Sequence, residues 1–210
     1  MKRRHFVQWL VAAGLAACGK PPTLSPVGSG SSVLAFGDSV TYGTGAGRDE
    51  DWPSLLAQRT GWQIANAGIP GDTAEAAQRR IQAALDEHRP ALVIVELGGN
   101  DFLRRRAAKA VKEDLRRIIR TVRQSGAQVV LVAVPEFSLL GVVARRPSDS
   151  PIYRELGEEE VVPVIDDVFS NILARPEWCA DQIHPNAQGY REMAGGIHAA
   201  LQQLGLARPA

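Results

Sequence analysis

Five short apolar segments, separated by stretches with helical patterning, constrain the fold of this chain more than any other feature. The segments are residues 33–36, 62–65, 91–95, 129–134 and 161–165. Apolar runs of this length are typical of buried strands, and Pro163 places the last one at a sheet edge, because proline cannot donate a ladder hydrogen bond. Strands that alternate with helices predict a mostly parallel sheet covered on both faces, which is an α/β fold with three α/β/α layers.

Four helices are predicted around these strands. Residues 52–59 begin with a proline suited to a first turn, and residues 72–88 begin with an Asp and Glu pair typical of a helix N-terminus. Residues 103–125 carry apolar side chains at helical spacing on one face, and a last helix is expected over residues 186–204. We assign residues 33–206 to a single domain.

The start of the chain is typical of an export signal. Basic residues precede a mostly apolar stretch over residues 7–17, which is shorter than the roughly 20 residues that a membrane-spanning helix needs. We therefore predict a signal peptide over residues 1–17. The segment ending at Cys18 also resembles the bacterial lipobox, which implies a lipid anchor on Cys18 at the periplasmic face of the cell envelope. The general and twin-arginine export routes both stay open, as does simple release to the periplasm.

Composition bears on the linker, on nucleic-acid partners and on the role of the cysteines. Residues 18–32 are rich in Pro, Gly and Ser, which predicts a flexible linker. The chain has 24 basic and 23 acidic residues, a balance that does not predict a nucleic-acid partner. Its 2 cysteines cannot form a disulfide scaffold or a four-thiolate zinc site. Lipidation of Cys18 would leave Cys179 as a free thiol, and a disulfide between the two requires an unmodified Cys18.

Glycines and polar residues follow three of the predicted strands at their carboxyl ends, where open parallel sheets place their sites. These positions include Ser39, Gly71 and Asn100, and a second polar group, Asp181 and His184, stands near the C-terminus. Acyl transfer needs a serine nucleophile, a base and a carboxylate that orients the base, and Ser39, His184 and Asp181 can fill these roles. The backbone N–H groups of Ser39 and Gly71 and the side-chain amide of Asn100 can form an oxyanion hole.

Neighbouring polar residues are expected to have structural roles. Asp38 and Asp101 are expected to brace the turns beside Ser39 and Asn100, and Glu96 at the end of a buried strand needs a hydrogen-bonding partner. The glycines of residues 43–47 lack the spacing of a dinucleotide motif and the lysine of a P-loop, so they predict a flexible loop.

The blocks around Ser39, Gly71, Asn100 and Asp181–His184 resemble those of the SGNH hydrolases, also called GDSL esterases and lipases. The resemblance implies a flavodoxin-like SGNH hydrolase fold and a Ser-His-Asp triad that works through an acyl-enzyme, with no metal or other cofactor. The blocks at Gly71 and Asn100 are most similar to the thioesterase I/lysophospholipase and arylesterase branch. This similarity implies hydrolysis of small acyl esters, thioesters or lysophospholipids.

Two departures from the family pattern concern the cleft. Val40 follows the serine where leucine is usual, which is a conservative change. Residues 102–106 (Phe-Leu-Arg-Arg-Arg) replace the small glycine-containing loop expected beside the acyl cleft, so the substrate preference stays open. We expect the three arginines to lie on a solvated helix face, with attraction of anionic head groups as the alternative. The apolar residues 137–144 are a candidate wall of the acyl pocket.

Two other functions fit the same sequence. One is a carbohydrate O-acetyl esterase, and the other is a catalytically silent envelope lipoprotein that binds acyl chains. Activity against a series of acyl chain lengths would distinguish the carbohydrate O-acetyl esterase from an esterase of longer acyl chains. Labelling of the serine by a fluorophosphonate probe would distinguish an active esterase from the silent lipoprotein.

Overall fold

A computed structural model of the chain describes residues 24–136 and 147–208. Five strands form one sheet in the order β2-β1-β3-β4-β5, and all neighbouring pairs are parallel. The strands are β1 (Ser32–Gly37), β2 (Gln63–Gly68), β3 (Leu92–Glu96), β4 (Gln128–Val132) and β5 (Val164–Ile165). The predicted α/β fold with a parallel sheet is confirmed, and β5 lies at the edge as expected.

Helices connect the strands. They are α1 (Ser39–Tyr42), α2 (Trp52–Thr60), α3 (Ala74–Gln78), α4 (Ile81–His88), α5 (Gly99–Leu103), α6 (Ala108–Gln124), α7 (Pro151–Glu160), α8 (Val168–Leu173) and α9 (Ala187–Gln203). A short 3₁₀ helix spans Pro176–Trp178. Within the described part of the chain, none of the helices combines the length and the apolar content required to cross a bilayer.

The order of the strands places helices on both faces of the sheet. The chain first moves from β1 to β2 on one side and then returns past β1 to β3. Because such crossovers are right-handed, α2 covers one face and α3, α4 and α6 cover the other. Helix α9 packs with α2, and α7 packs with α6. Strands β1, β3 and β4 are therefore buried between the layers, which explains their continuous apolar sequences.

Two of the predicted helices differ from the observed ones. The helix expected over residues 72–88 is interrupted between α3 and α4, where the Arg80 side chain turns toward the sheet to bond two strand ends. The helix expected over residues 103–125 begins later, at Ala108 in α6, because Arg105, after the end of α5, has a left-handed φ of 55°. The sequence does not predict helices α7 and α8.

The prediction of a flexible linker is wrong for residues 24–32. The Ser25 N–H donates to Gln128 Oε1 at 2.7 Å, and Gln128 Nε2 donates back to the Ser25 carbonyl at 2.9 Å. Val27 is buried, and its N–H donates to the Leu206 carbonyl at 2.8 Å. The folded domain therefore includes residues 24–32 as well as the predicted 33–206. Cys18 and the predicted signal peptide lie outside the described residues.

Candidate active site

The site lies at the carboxyl ends of β1 and β3, which are neighbours in the sheet. The register pairs Gly37 with Glu96, so the residues that follow each strand come together. Strand β2 lies on the other side of β1, and the chain changes direction between β1 and β3. Such a topological switch point is where open α/β sheets form their binding crevice.

The three residues predicted to form a triad are in hydrogen-bond contact. His184 Nε2 lies 2.9 Å from Ser39 Oγ, and His184 Nδ1 lies 2.8 Å from Asp181 Oδ2. The second oxygen, Asp181 Oδ1, accepts hydrogen bonds from the N–H groups of Ile183 and His184, each at 2.8 Å. Residues 145 positions apart in sequence are thus aligned as serine, imidazole and carboxylate.

Hydrogen bonds also set the charge of Asp181. Burial opposes its ionisation, but the bonds from the His184 imidazole and from the N–H groups of Ile183 and His184 outweigh that effect and lower its pKa. Asp181 is therefore ionised at neutral pH, which is the state that accepts the imidazole N–H.

The histidine loop (residues 179–185) packs against the loop that follows Ser39. The Thr44 carbonyl accepts a hydrogen bond from the Tyr190 hydroxyl at 2.8 Å. A Cβ on Gly45 would lie 2.4 Å from the Pro185 carbonyl oxygen, so only glycine allows this approach. The prediction of a flexible loop over residues 43–47 is therefore wrong, and the loop joins the serine to the histidine.

The serine turn (residues 37–39) is held by Asp38. Its Oδ1 accepts the Val40 N–H at 3.0 Å, which caps α1, and its Oδ2 accepts a hydrogen bond from Asn100 Nδ2 at 3.0 Å. Burial raises the pKa of Asp38 to about 6 against the lowering effect of these two bonds. The bond to Asn100 fixes the plane of its amide, which leaves the second Nδ2 hydrogen available.

The glycine turn (residues 69–72) carries Gly71. The Asp72 N–H donates to the Ile69 carbonyl at 3.1 Å, and Gly71 has a φ of 81°. These features, with proline at the second position, define a type II turn, which needs glycine at the third position. Among the described residues, the N–H groups of Gly71 and Ser39 have no acceptor, so both can bind an oxyanion.

Asp101 connects the glycine turn to α5. It is fully buried, and its Oδ2 accepts the N–H of Ala74, the first residue of α3, at 2.9 Å. Its Oδ1 accepts a hydrogen bond from Arg106, which also donates to Asp114 at 2.9 Å. The geometry agrees with the bracing role predicted for Asp101. Arg106, in contrast, is not part of a solvated helix face, because it lies between α5 and α6 and pairs with two buried carboxylates.

Arg80 is a positioning residue that the sequence does not predict. Its guanidinium donates to the carbonyls of Gly37 at 2.8 Å and Ala67 at 2.9 Å, and to Asp72 Oδ2 at 2.7 Å. It also stacks over the Phe36 ring. These bonds tie the ends of β1 and β2 to the glycine turn. The sequence held no signal for this role, because Arg79 and Arg80 are equivalent in a helical pattern.

Glu96 lies below the serine turn and is 1% exposed. Its Oε2 accepts a hydrogen bond from the Thr41 hydroxyl at 2.9 Å, and its Oε1 has no hydrogen-bond partner among the described residues. Burial, followed by repulsion from Asp38, raises the pKa of Glu96 well above its ordinary value. A buried Glu96 that accepts a hydrogen bond from the Thr41 hydroxyl fits the structural role expected for it.

A small open cleft is lined by Ser39, Asn100 and His184. Its apolar wall consists of Leu103, Phe169 and Ile183. The predicted wall over residues 137–144 lies outside the described residues. The departure after Asn100 thus contributes Leu103 to the cleft.

The other histidines of the described residues and Cys179 do not line the cleft. His88 ends α4 and His198 lies within α9, and neither lines the cleft. Cys179 is a free thiol that donates to the Arg175 carbonyl. Among the residues that the structure describes, no group of three or more His, Cys, Asp and Glu side chains could hold a metal ion.

Comparison with known proteins gives consistent results. Residues 35–192 match the model of the GDSL-like Lipase/Acylhydrolase family. The chain is 33% identical over 180 residues to thioesterase 1/protease 1/lysophospholipase L1 of Escherichia coli K12, covering 82% of this chain and 84% of that protein. It is 32% identical over 164 residues to an arylesterase of Vibrio mimicus, covering 74% of this chain and 80% of that protein.

A solved structure described as TesA superposes with a TM-score of 0.73 at 27% identity, covering 82% of this chain and 99% of that one. The predicted membership among the SGNH hydrolases is confirmed. The chain belongs to the GDSL-like lipase/acylhydrolase family and is a carboxylic ester hydrolase.

Proposed function

We propose that this enzyme hydrolyses acyl esters and thioesters with Ser39 as nucleophile, His184 as general base and Asp181 as orienting carboxylate. The observation that carries the proposal is the hydrogen-bonded row in which His184 contacts Ser39 Oγ at 2.9 Å and Asp181 at 2.8 Å. Serine hydroxyls are weak nucleophiles, and a contact of this kind activates them.

The first half of the reaction forms an acyl-enzyme. Ser39 Oγ attacks the substrate carbonyl carbon while His184 Nε2 takes the hydroxyl proton. The N–H groups of Ser39 and Gly71 and the amide of Asn100 stabilise the resulting oxyanion, and loss of one such donor costs about 3–4 kcal/mol of barrier. Collapse of the tetrahedral intermediate breaks the bond to the alcohol or thiol, which leaves with the proton from His184.

Water completes the reaction. His184 takes a proton from a water molecule that attacks the acyl-enzyme carbonyl, and the same donors stabilise the second oxyanion. Return of that proton to Ser39 Oγ releases the acid and restores the enzyme. Asp181 keeps the proton of the imidazole on Nδ1 throughout, and it stabilises the imidazolium formed in each half.

The apolar wall of the cleft and the names of the relatives support the proposed substrate class. An apolar wall of Leu103, Phe169 and Ile183 beside the serine suits an acyl chain. Names such as thioesterase, lysophospholipase and arylesterase among the relatives support small acyl esters, thioesters and lysophospholipids as substrates. Activity on hexanoyl and longer esters would favour this choice, and activity confined to acetyl esters would favour the carbohydrate O-acetyl esterase alternative.

Ser39→Ala tests the mechanism directly. We expect turnover of 4-nitrophenyl acyl esters to fall by several orders of magnitude and a fluorophosphonate probe to label only the unmodified protein. Retained activity in the variant would refute the proposed nucleophile. Failure of the probe to label Ser39, together with no esterase activity in the unmodified chain, would favour the silent acyl-binding alternative.

We also propose, from the sequence of residues 1–18 alone, that the chain is exported and anchored to the envelope by a lipid on Cys18. The full-length protein should then fractionate with membranes, and Cys18→Ser should move it to the soluble periplasmic fraction. An identical distribution of the two proteins would refute the anchor.

A further inference from the structure

The cationic side chain of Arg104 contacts the glycine turn at Gly71. Arg104 Nη2 donates to the Gly71 carbonyl at 3.0 Å. The backbone N–H of Arg104 also donates to the Asn100 carbonyl at 3.1 Å, as the cap of α5. Arg104 therefore connects the two segments that carry the proposed donors Gly71 and Asn100.

Few side chains contact Gly71 itself. Apart from its chain neighbours, Arg104 Nη2 is the one group of the described residues within 4 Å of a Cβ built on Gly71, at 3.9 Å. Glycine with a φ of 81° has wide conformational freedom. The peptide between Gly71 and Asp72 is bonded at both ends, since its N–H donates to Ile69 and its carbonyl accepts from Arg104. The Gly71 N–H belongs to the preceding peptide, which joins this one at the Gly71 Cα, so fixing the peptide from Gly71 to Asp72 restrains where the Gly71 Cα and its N–H lie relative to the oxyanion.

Arg104 differs from its neighbours in its partners. Arg80 and Arg106 pair with carboxylates, whereas no Asp or Glu oxygen of the described residues lies within 4 Å of the Arg104 guanidinium. The carbonyl of Gly71 is thus its hydrogen-bonding partner within that part of the chain. Arg105, next to it, is exposed and makes no side-chain hydrogen bond there.

We propose that Arg104 is a positioning residue for the reaction, acting through Gly71 to hold its N–H toward the oxyanion. This inference rests on the proposed function of the site. A positioning role predicts an effect on transition-state stabilisation, and therefore on kcat, because the Gly71 N–H binds charge that develops only during the reaction. The alternative role, recognition of an anionic group on the substrate, would instead act on KM for anionic substrates alone.

The test compares Arg104→Met, Arg104→Lys and the matched control Arg105→Met. Each is assayed with the neutral ester 4-nitrophenyl acetate and the anionic ester 4-acetoxybenzoate. We expect Arg104→Met to lower kcat about tenfold on both esters with little change in KM, since complete loss of one oxyanion donor costs about 10²–10³-fold. Arg104→Lys, which can still donate to the Gly71 carbonyl, should recover part of that loss, and Arg105→Met should stay within about twofold.

Several outcomes would overturn the proposal. These are an unchanged kcat in Arg104→Met, an equal loss in Arg105→Met, no recovery in Arg104→Lys, or a loss confined to KM for 4-acetoxybenzoate. The last result would assign Arg104 to anion recognition. Ser39→Ala, measured in parallel, keeps the two proposals apart, because full activity in that variant refutes the serine mechanism whatever Arg104 does.

Discussion

The substitution Asp181→Asn tests whether the triad works through the tautomer of His184. Asp181 Oδ1 accepts two backbone N–H groups at 2.8 Å, while Oδ2 accepts the imidazole. An asparagine has only one oxygen, and two N–H donors outcompete one for it. The NH₂ group would then face His184 Nδ1, which could accept a hydrogen bond only by giving up its proton.

The size of the effect follows from this change. The proton would move to Nε2, which then donates to Ser39 Oγ and can no longer take its proton. In the chymotrypsin-type triad the equivalent substitution lowers kcat about 10⁴-fold, which corresponds to about 5.5 kcal/mol of barrier. We expect a loss of the same order here. The Asp181 side chain is 55% exposed, so the melting temperature should change by only a few degrees.

The assay is hydrolysis of 4-nitrophenyl acetate by Asp181→Asn and Asp181→Ala, with melting temperatures as a folding control. Alanine leaves His184 free to adopt either tautomer, so the asparagine variant should be at least as impaired as the alanine variant. A kcat within tenfold of the unmodified enzyme, or an asparagine variant clearly faster than the alanine one, would refute the tautomer argument.

Two further predictions concern stability. The pKa of Asp38 is about 6 in the folded chain and 3.8 in an ordinary aspartate, so its ionisation lowers the free energy of unfolding as pH rises through that range. The melting temperature of Asp38→Asn relative to the unmodified protein should therefore increase between about pH 4 and pH 7, and a constant difference would contradict this. Val27→Ala should cost about 2 kcal/mol in denaturant unfolding, because it removes buried methyl groups. The exposed control Val161→Ala should cause no loss of stability, because Val161 has a left-handed φ of 51° that disfavours a β-branched side chain, and equal effects of the two substitutions would mean that residues 24–32 do not belong to the domain.

The sheet and the strand-end positions of Ser39 and Asn100 could be predicted from sequence because local patterns encode them. Continuous apolar runs mark β1, β3 and β4, whose faces are both covered. The polar residues that follow these runs lie at the carboxyl ends of the strands, and in a parallel sheet those ends lie at one edge. His184 does not follow a strand, and its pairing with Ser39 across 145 residues was predicted from the chemistry of acyl transfer and from the family resemblance.

The errors arise where tertiary contacts override local patterns. Residues 24–31 have the composition of a linker, yet Val27 is buried and its carbonyl accepts a hydrogen bond from the Trp62 indole at 3.2 Å. The helix interruptions at Arg80 and Arg105 occur among good helix formers, whose propensity is a weak constraint beside such contacts. Composition cannot distinguish an arginine that bonds strand ends from one that faces water.

The site depends on carboxyl groups whose burial disfavours folding. Asp38 and Glu96 are 2% and 1% exposed, and burial raises the pKa of both. Apolar residues of similar volume in place of buried charged groups often leave a fold equally or more stable. Asp38, however, caps the helix that carries Ser39 and fixes the amide of Asn100, two contacts that an apolar side chain cannot make. The requirement to hold the serine and the oxyanion donors in place, rather than the stability of the fold, therefore accounts for a carboxylate at this position.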